Sequence, residues 1–269
     1  MTILQNLSSK KFRYILYSLG VVLLLFWVET SIGYRQVAMQ PFLFLTGFTV
    51  VGAIVTQYTS ITDYRGFLVV LLPVLLVLGA FFTLFHFPNF SLAFKLSGLG
   101  VVGVLLYLVN LVNNIFLVVR EKEDTIPLYR AAVTWSQILI VVIAIPLFAG
   151  VYKLDVSPLL QSGLAGVFAF MFGVYFFWSI SFDDRARRVN WIDVLVNCAF
   201  LAFIVVSTHL TVSFFPTEAF LRGLFSASVV LFGVNYLDGH MKNKINSNLM
   251  YHYGLIFLIL LLILLAFRP

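Results

Sequence analysis

Asn110, Asn113 and Asn114 stand at i, i+3 and i+4 inside an apolar run, so a helix through them carries three carboxamides on one face. A carboxamide offers two N–H donors and one carbonyl acceptor and does not titrate near neutral pH. Such a face can bind polar groups, a polar solute or a partly dehydrated ion, but it supplies no general acid or base. Further polar side chains recur at helical spacing in later apolar runs. These are Arg130, Thr134 and Gln137; Asn190, Asp193 and Asn197; and Asn235 with Asp238. The candidate binding set is Asn110, Asn113, Asn114, Arg130, Gln137, Asp193, Asn197 and Asn235. Arg130 with Asp193 is the one combination in the set suited to charged chemistry. Two uses stand open. The set can line a hydrated cavity open to the cytoplasm, with the three amides meeting polar groups of the fifth, seventh or eighth span. Alternatively it joins helices by hydrogen bonds worth about 0.6 kcal/mol each on average and up to about 1.7.

The elements that must hold these residues are apolar throughout. The chain has 269 residues, 61% hydrophobic and 10% charged, with a mean hydropathy of +1.03. A water-soluble domain carries about 25% charged residues, so the composition points into a bilayer. Nine apolar runs follow one another, at about 14–28, 41–57, 67–85, 92–119, 128–152, 159–182, 191–215, 218–237 and 249–267. The expected fold is all-α: a polytopic transmembrane bundle of about nine spans, forming a single integral membrane domain over 1–269. The first run follows Lys10, Lys11 and Arg13 and could imitate a signal peptide. Val37-Ala38-Met39 is a poor cleavage site, so the run is expected to stay as the first span. Pro73 is expected to kink the third span, and Pro146 sits near the far end of the fifth.

Charge sets the expected orientation. Placing alternate loops on alternate sides puts twelve of the 17 lysines and arginines on one side and five on the other. By the positive-inside rule the N-terminus is cytoplasmic and the C-terminus outside. The net charge of +6 is spread over short loops rather than gathered in a patch, which argues against nucleic acid as a partner. Cys198 is the sole cysteine, so no intramolecular disulfide forms. His86, His209, His240 and His252 lack metal-ligand spacing, so neither metal nor cofactor is expected, and His209 reads as hydrogen-bonded packing. Glu218 and Arg222 are at i, i+4 and are expected to pair. Ala165, Ala169 and Gly173 repeat every four residues and predict a close helix contact. Aromatic residues near span ends, among them Tyr58, Tyr64, Trp178, Trp191 and Tyr251, predict an interfacial belt. Phe172-Gly173-Val174-Tyr175 and Phe232-Gly233-Val234-Asn235 form a faint repeat, of a kind that apolar helices also give by chance.

Several sequence motifs of soluble enzymes are missing: there is no GxSxG, HExxH or phosphate loop. Membrane prenyltransferases share the nine-span count but carry two aspartate-rich magnesium-diphosphate motifs. The stretch from Asn110 to Asp124 lacks that spacing, and Asp183-Asp184 is a single acidic pair. Asn113-Asn114-Ile115-Phe116, Thr125-Ile126-Pro127-Leu128 and Arg130-Ala131-Ala132 resemble uncharacterised multi-pass membrane proteins of bacterial candidate phyla. The resemblance covers about forty residues of the fourth and fifth spans. It implies a bacterial inner membrane and carries no activity, substrate or catalytic residue. The expected function is a transport or channel-like component, or a membrane scaffold, with a polar cytoplasmic cavity. The alternative is a membrane enzyme acting on a lipid-linked substrate. Membrane lipids are the expected partners, together with other membrane proteins or further copies of the chain.

Overall fold

The computed structural model describes residues 2–31, 39–61, 64–86, 91–122, 127–183, 190–242 and 247–266. Among them the chain is helical, with no strand and nine α-helices. In chain order these are α1 (Thr2–Ser31), α2 (Met39–Gln57), α3 (Leu71–His86), α4 (Leu92–Lys122), α5 (Pro127–Val151), α6 (Pro158–Ile180), α7 (Trp191–Ser213), α8 (Ala219–Met241) and α9 (Ser247–Ala266). Helices satisfy every interior backbone group within one segment, which is what hydrocarbon demands. Eight described stretches, one for each of α1 to α8, are long and apolar enough to cross a membrane. The architecture is that of a multi-pass membrane protein. The apolar stretch described in α9, Gly254–Ala266, is shorter.

Pro73 does not kink the third span. A 3-10 segment, Tyr64–Val70, runs into α3, and Pro73 is the third residue of that helix. The first turn of a helix has no intrahelical use for its N–H groups, so a proline is tolerated there. Pro146 does lie inside α5. The 31 residues of α4 make it about 46 Å long at 1.5 Å per residue. That exceeds the roughly 30 Å of hydrocarbon, so the helix tilts or protrudes.

The chain divides into two compact units, Met1–Ala132 and Val133–Pro269. In the first, α1 packs on α4 and α2, and α3 on α2 and α4. The buried residues of α1 are Tyr14, Tyr17, Ser18, Val21, Leu25 and Val28. Steps of three and four keep them on one stripe. Leu16, Leu19, Leu23 and Trp27 are exposed on the other side of α1, as lipid-facing residues of a span would be. Phe42 meets Phe81 edge to face, with ring centroids 5.4 Å apart.

In the second unit, α6 packs chiefly on α7, and α8 on α7 and α9. Ser157 caps α6, its hydroxyl accepting from the Leu160 N–H, and Pro158 opens the helix. The small-residue face of α6 meets α7. Ala165 and Ala169 are fully buried, and a Cβ built on Gly173 would lie 3.1 Å from Cys198 Sγ. Cys198 is therefore a packing residue of this contact. Trp178 belongs to the same enclosed helix. It is buried against Tyr175 and Phe182 rather than exposed in an interfacial belt. Tyr58, Tyr64, Trp191 and Tyr251 are exposed.

Candidate functional site

The amide face of α4 is the polar interior of the first unit. Asn110 and Asn113 are fully buried, and Asn114, one turn beyond Asn110, is half-buried. Asn110 Nδ2 donates to the Leu106 carbonyl of its own helix at 2.7 Å. Asn113 Nδ2 reaches out of the helix and donates to the Val69 carbonyl at 2.9 Å. Gln57, the last residue of α2, closes the group. Its Nε2 donates to the Asn110 carbonyl at 3.0 Å, and its Oε1 accepts from the Tyr14 hydroxyl of α1 at 3.1 Å. Three helices and the turn before α3 are thus joined through the side chains of three residues, Tyr14, Gln57 and Asn113. Lys10 donates to Ser60 at 2.9 Å one turn further along α1.

Asn110 uses its amino end and leaves its oxygen over. Asn110 Oδ1 and Asn114 Oδ1 are both buried with no hydrogen-bond donor among the described residues. An amide used purely as glue would engage both ends, because each unmet polar group costs about 1–3 kcal/mol. Two carbonyl oxygens, one turn apart on a buried face, can accept from a donor-bearing guest or coordinate a small cation.

At the other end of the same helix pair, Lys95 Nζ lies 2.5 Å from Glu29 Oε1, with both side chains 8% exposed. This ion pair ties the end of α1 to the start of α4. Neither residue stands out in the sequence pattern. The available signal is that each lies near the same end of a span and that their signs are opposite.

Arg130 belongs to the first unit and is exposed on the first turn of α5. Gln137, Asp193, Asn197 and Asn235 belong to the second. Gln137 is half-buried, and Asp193 is exposed on the first turn of α7. Asn197 and Asn235 are half-buried and donate to carbonyls of their own helices, Asp193 at 2.7 Å and Leu231 at 2.8 Å. Asn197 also borders an apolar cavity of about 270 Å³ between α7 and α8, with Tyr236 as its other polar wall and Phe200, Leu201 and Phe232 among its apolar ones. Among the described residues no three His, Cys, Asp or Glu side chains gather as a metal site would require.

The second unit holds a polar group of its own that the sequence pattern did not reveal. The His209 ring stacks on the Tyr152 ring, with centroids 3.6 Å apart and planes within 9°. The Tyr152 hydroxyl lies 3.1 Å from the His209 carbonyl and 3.1 Å from Ser226 Oγ. Ser226 Oγ lies 3.4 Å from His209 Nδ1. One assignment gives every donor a single acceptor: Nδ1–H to Ser226, Ser226 to Tyr152, and Tyr152 to the His209 carbonyl. His209 is hydrogen-bonded packing on that side, but its Nε2 is buried without a partner. Arg222 does not pair with Glu218. Its guanidinium carbon lies over the Tyr152 ring, 5.1 Å from the centroid, and Glu218 is exposed. A cation over an aromatic face is worth about 0.5–1 kcal/mol at an exposed site and about 2 when desolvated.

No family model matches the chain, and neither a curated protein nor a solved structure matches it significantly.

Proposed function

We propose that this protein is a nine-span component of a bacterial inner membrane, with its N-terminus cytoplasmic and its C-terminus outside. In this reading it works as a transport or channel-like protein, and the amide face of α4 binds its solute. The inner-membrane part follows the resemblance carried by the fourth and fifth spans, and the orientation follows the charge asymmetry of the loops. The observation that supports solute binding is the pair of unmatched oxygens, Asn110 Oδ1 and Asn114 Oδ1. They select for a guest rich in N–H or O–H donors, or for a small monovalent cation, and they offer nothing to an anion.

Proteoliposomes test this directly. Uptake of radiolabelled sodium, methylammonium and glycerol is measured with wild-type protein, with Asn114→Leu and with protein-free vesicles. The reading expects at least one of the three to enter faster than into empty vesicles, and Asn114→Leu to slow that entry about tenfold or more with the protein still folded. Uptake no faster than into empty vesicles for all three, or Asn114→Leu equal to wild type, removes it.

A further inference from the structure

The turn between α7 and α8 carries an unmatched set of hydrogen-bond donors. Thr217 is 6% exposed, and its Oγ1 has no partner among the described residues. Arg222 is half-buried, and its Nε is buried without a partner. The first turn of α8 has no side-chain cap, since Glu218 occupies the capping position without bonding back to the helix. Three backbone N–H groups there lack intrahelical acceptors, and the helix dipole adds partial positive charge. Thr217 immediately precedes the cap and Arg222 is the fourth residue of the helix, the two positions whose side chains flank the entry to a helix. Hydroxyl, guanidinium and helix N-terminus therefore belong to one turn.

Arg222 is also held in place. The Tyr152 ring beneath it is fixed by the stack on His209 and by its hydroxyl bonds to the His209 carbonyl and Ser226. The acidic side chain of the turn, Glu218, is exposed and bonds to neither Thr217 nor the helix start. The turn joins two membrane-length helices, so it sits at the depth of lipid phosphates.

We propose that Thr217, Arg222 and the first turn of α8 bind a phosphate oxyanion, supplied either by a lipid headgroup or by a free phosphate compound. The ligand oxygens accept from the Thr217 hydroxyl, the Arg222 guanidinium and the free backbone N–H groups, a donor set of the kind that holds phosphate at other helix N-termini. The site is independent of the amide face in the first unit, and either can fail alone.

The experiment is thermal melting of the full chain in a phosphate-free sugar detergent at matched ionic strength. The additives are sodium chloride, inorganic phosphate, dioctanoyl phosphatidate and dioctanoylglycerol. The expected result is a saturable rise in Tm of about 3–6 °C with a phosphate-bearing additive. A rise with phosphatidate alone makes the source a lipid headgroup, and a rise with inorganic phosphate makes it a free anion. Arg222→Gln abolishes the rise and Thr217→Val at least halves it. Arg222→Lys keeps the charge without the fork and retains part of it, which preserves the test if the glutamine variant does not fold. The proposal is overturned if neither phosphate source exceeds chloride. It is also overturned if dioctanoylglycerol matches phosphatidate, or if Thr217→Val and Arg222→Lys both respond like wild type.

Discussion

Asn113 donates to the Val69 carbonyl at 2.9 Å, in the 3-10 segment that leads into α3. One buried amide therefore joins α4 to the turn before α3.

This relationship makes a single variant informative. Asn113→Leu is expected to destabilise by about 1–3 kcal/mol, because it removes a donor from a buried carbonyl. Unfolding in detergent, compared with wild type, checks it. Unchanged stability would show that the carbonyl does not need Asn113.

The Glu29–Lys95 pair predicts a second asymmetry. Lys95→Met alone leaves Glu29 in a dry site and is expected to cost about 3–5 kcal/mol. Replacing both residues with methionine removes the unpaired charge, and the double variant should be more stable than Lys95→Met. A double variant less stable than either single one would contradict this account.

Ala169 is fully buried on the small-residue face of α6. Ala169→Leu forces α6 and α7 apart and is expected to lower the melting temperature by several degrees, in line with about 1–3 kcal/mol for overpacking. Unchanged melting would mean that the helices separate at no cost.

Gly223 of α8 sits against α5, where an added Cβ would lie 2.6 Å from the Ala149 nitrogen. A backbone atom cannot rotate away, so Gly223→Ala is expected to destabilise by about 1–3 kcal/mol although alanine is the better helix former. A melting temperature above that of wild type would refute this.

Reporter fusions check the topology. Fusions at Asn89, Leu154 and Pro216 are expected outside, and those at Glu123, Ala186 and Asn243 in the cytoplasm. A cytoplasmic signal from a C-terminal fusion would contradict the nine-span arrangement.

The helices were legible because hydrocarbon leaves an apolar run of twenty residues few alternatives. Run ends and helix ends agree within a few residues, the N-terminal extension of α1 excepted. The role of Pro73 was not legible. Its run begins at Phe67 and reads as one helix, whereas the chain spends Tyr64–Val70 in a 3-10 segment. The amide face was legible from spacing, but Gln57 was not, because a glutamine at the end of a run looks like a polar terminus. Tyr152, His209 and Ser226 are separated by 57 and 17 residues along the chain. No local pattern links them, and only the packing of helices brings them together.

Glu29 and Lys95 lie 66 residues apart, and that separation is also a delay. A ribosome adding about 5–20 residues each second finishes Glu29 some 3–13 seconds before Lys95 exists. Through that interval the first helix carries an uncompensated carboxylate near its end, which holds that end towards water rather than hydrocarbon. The ion pair that ties the first helix to the fourth therefore cannot form until the fourth has begun.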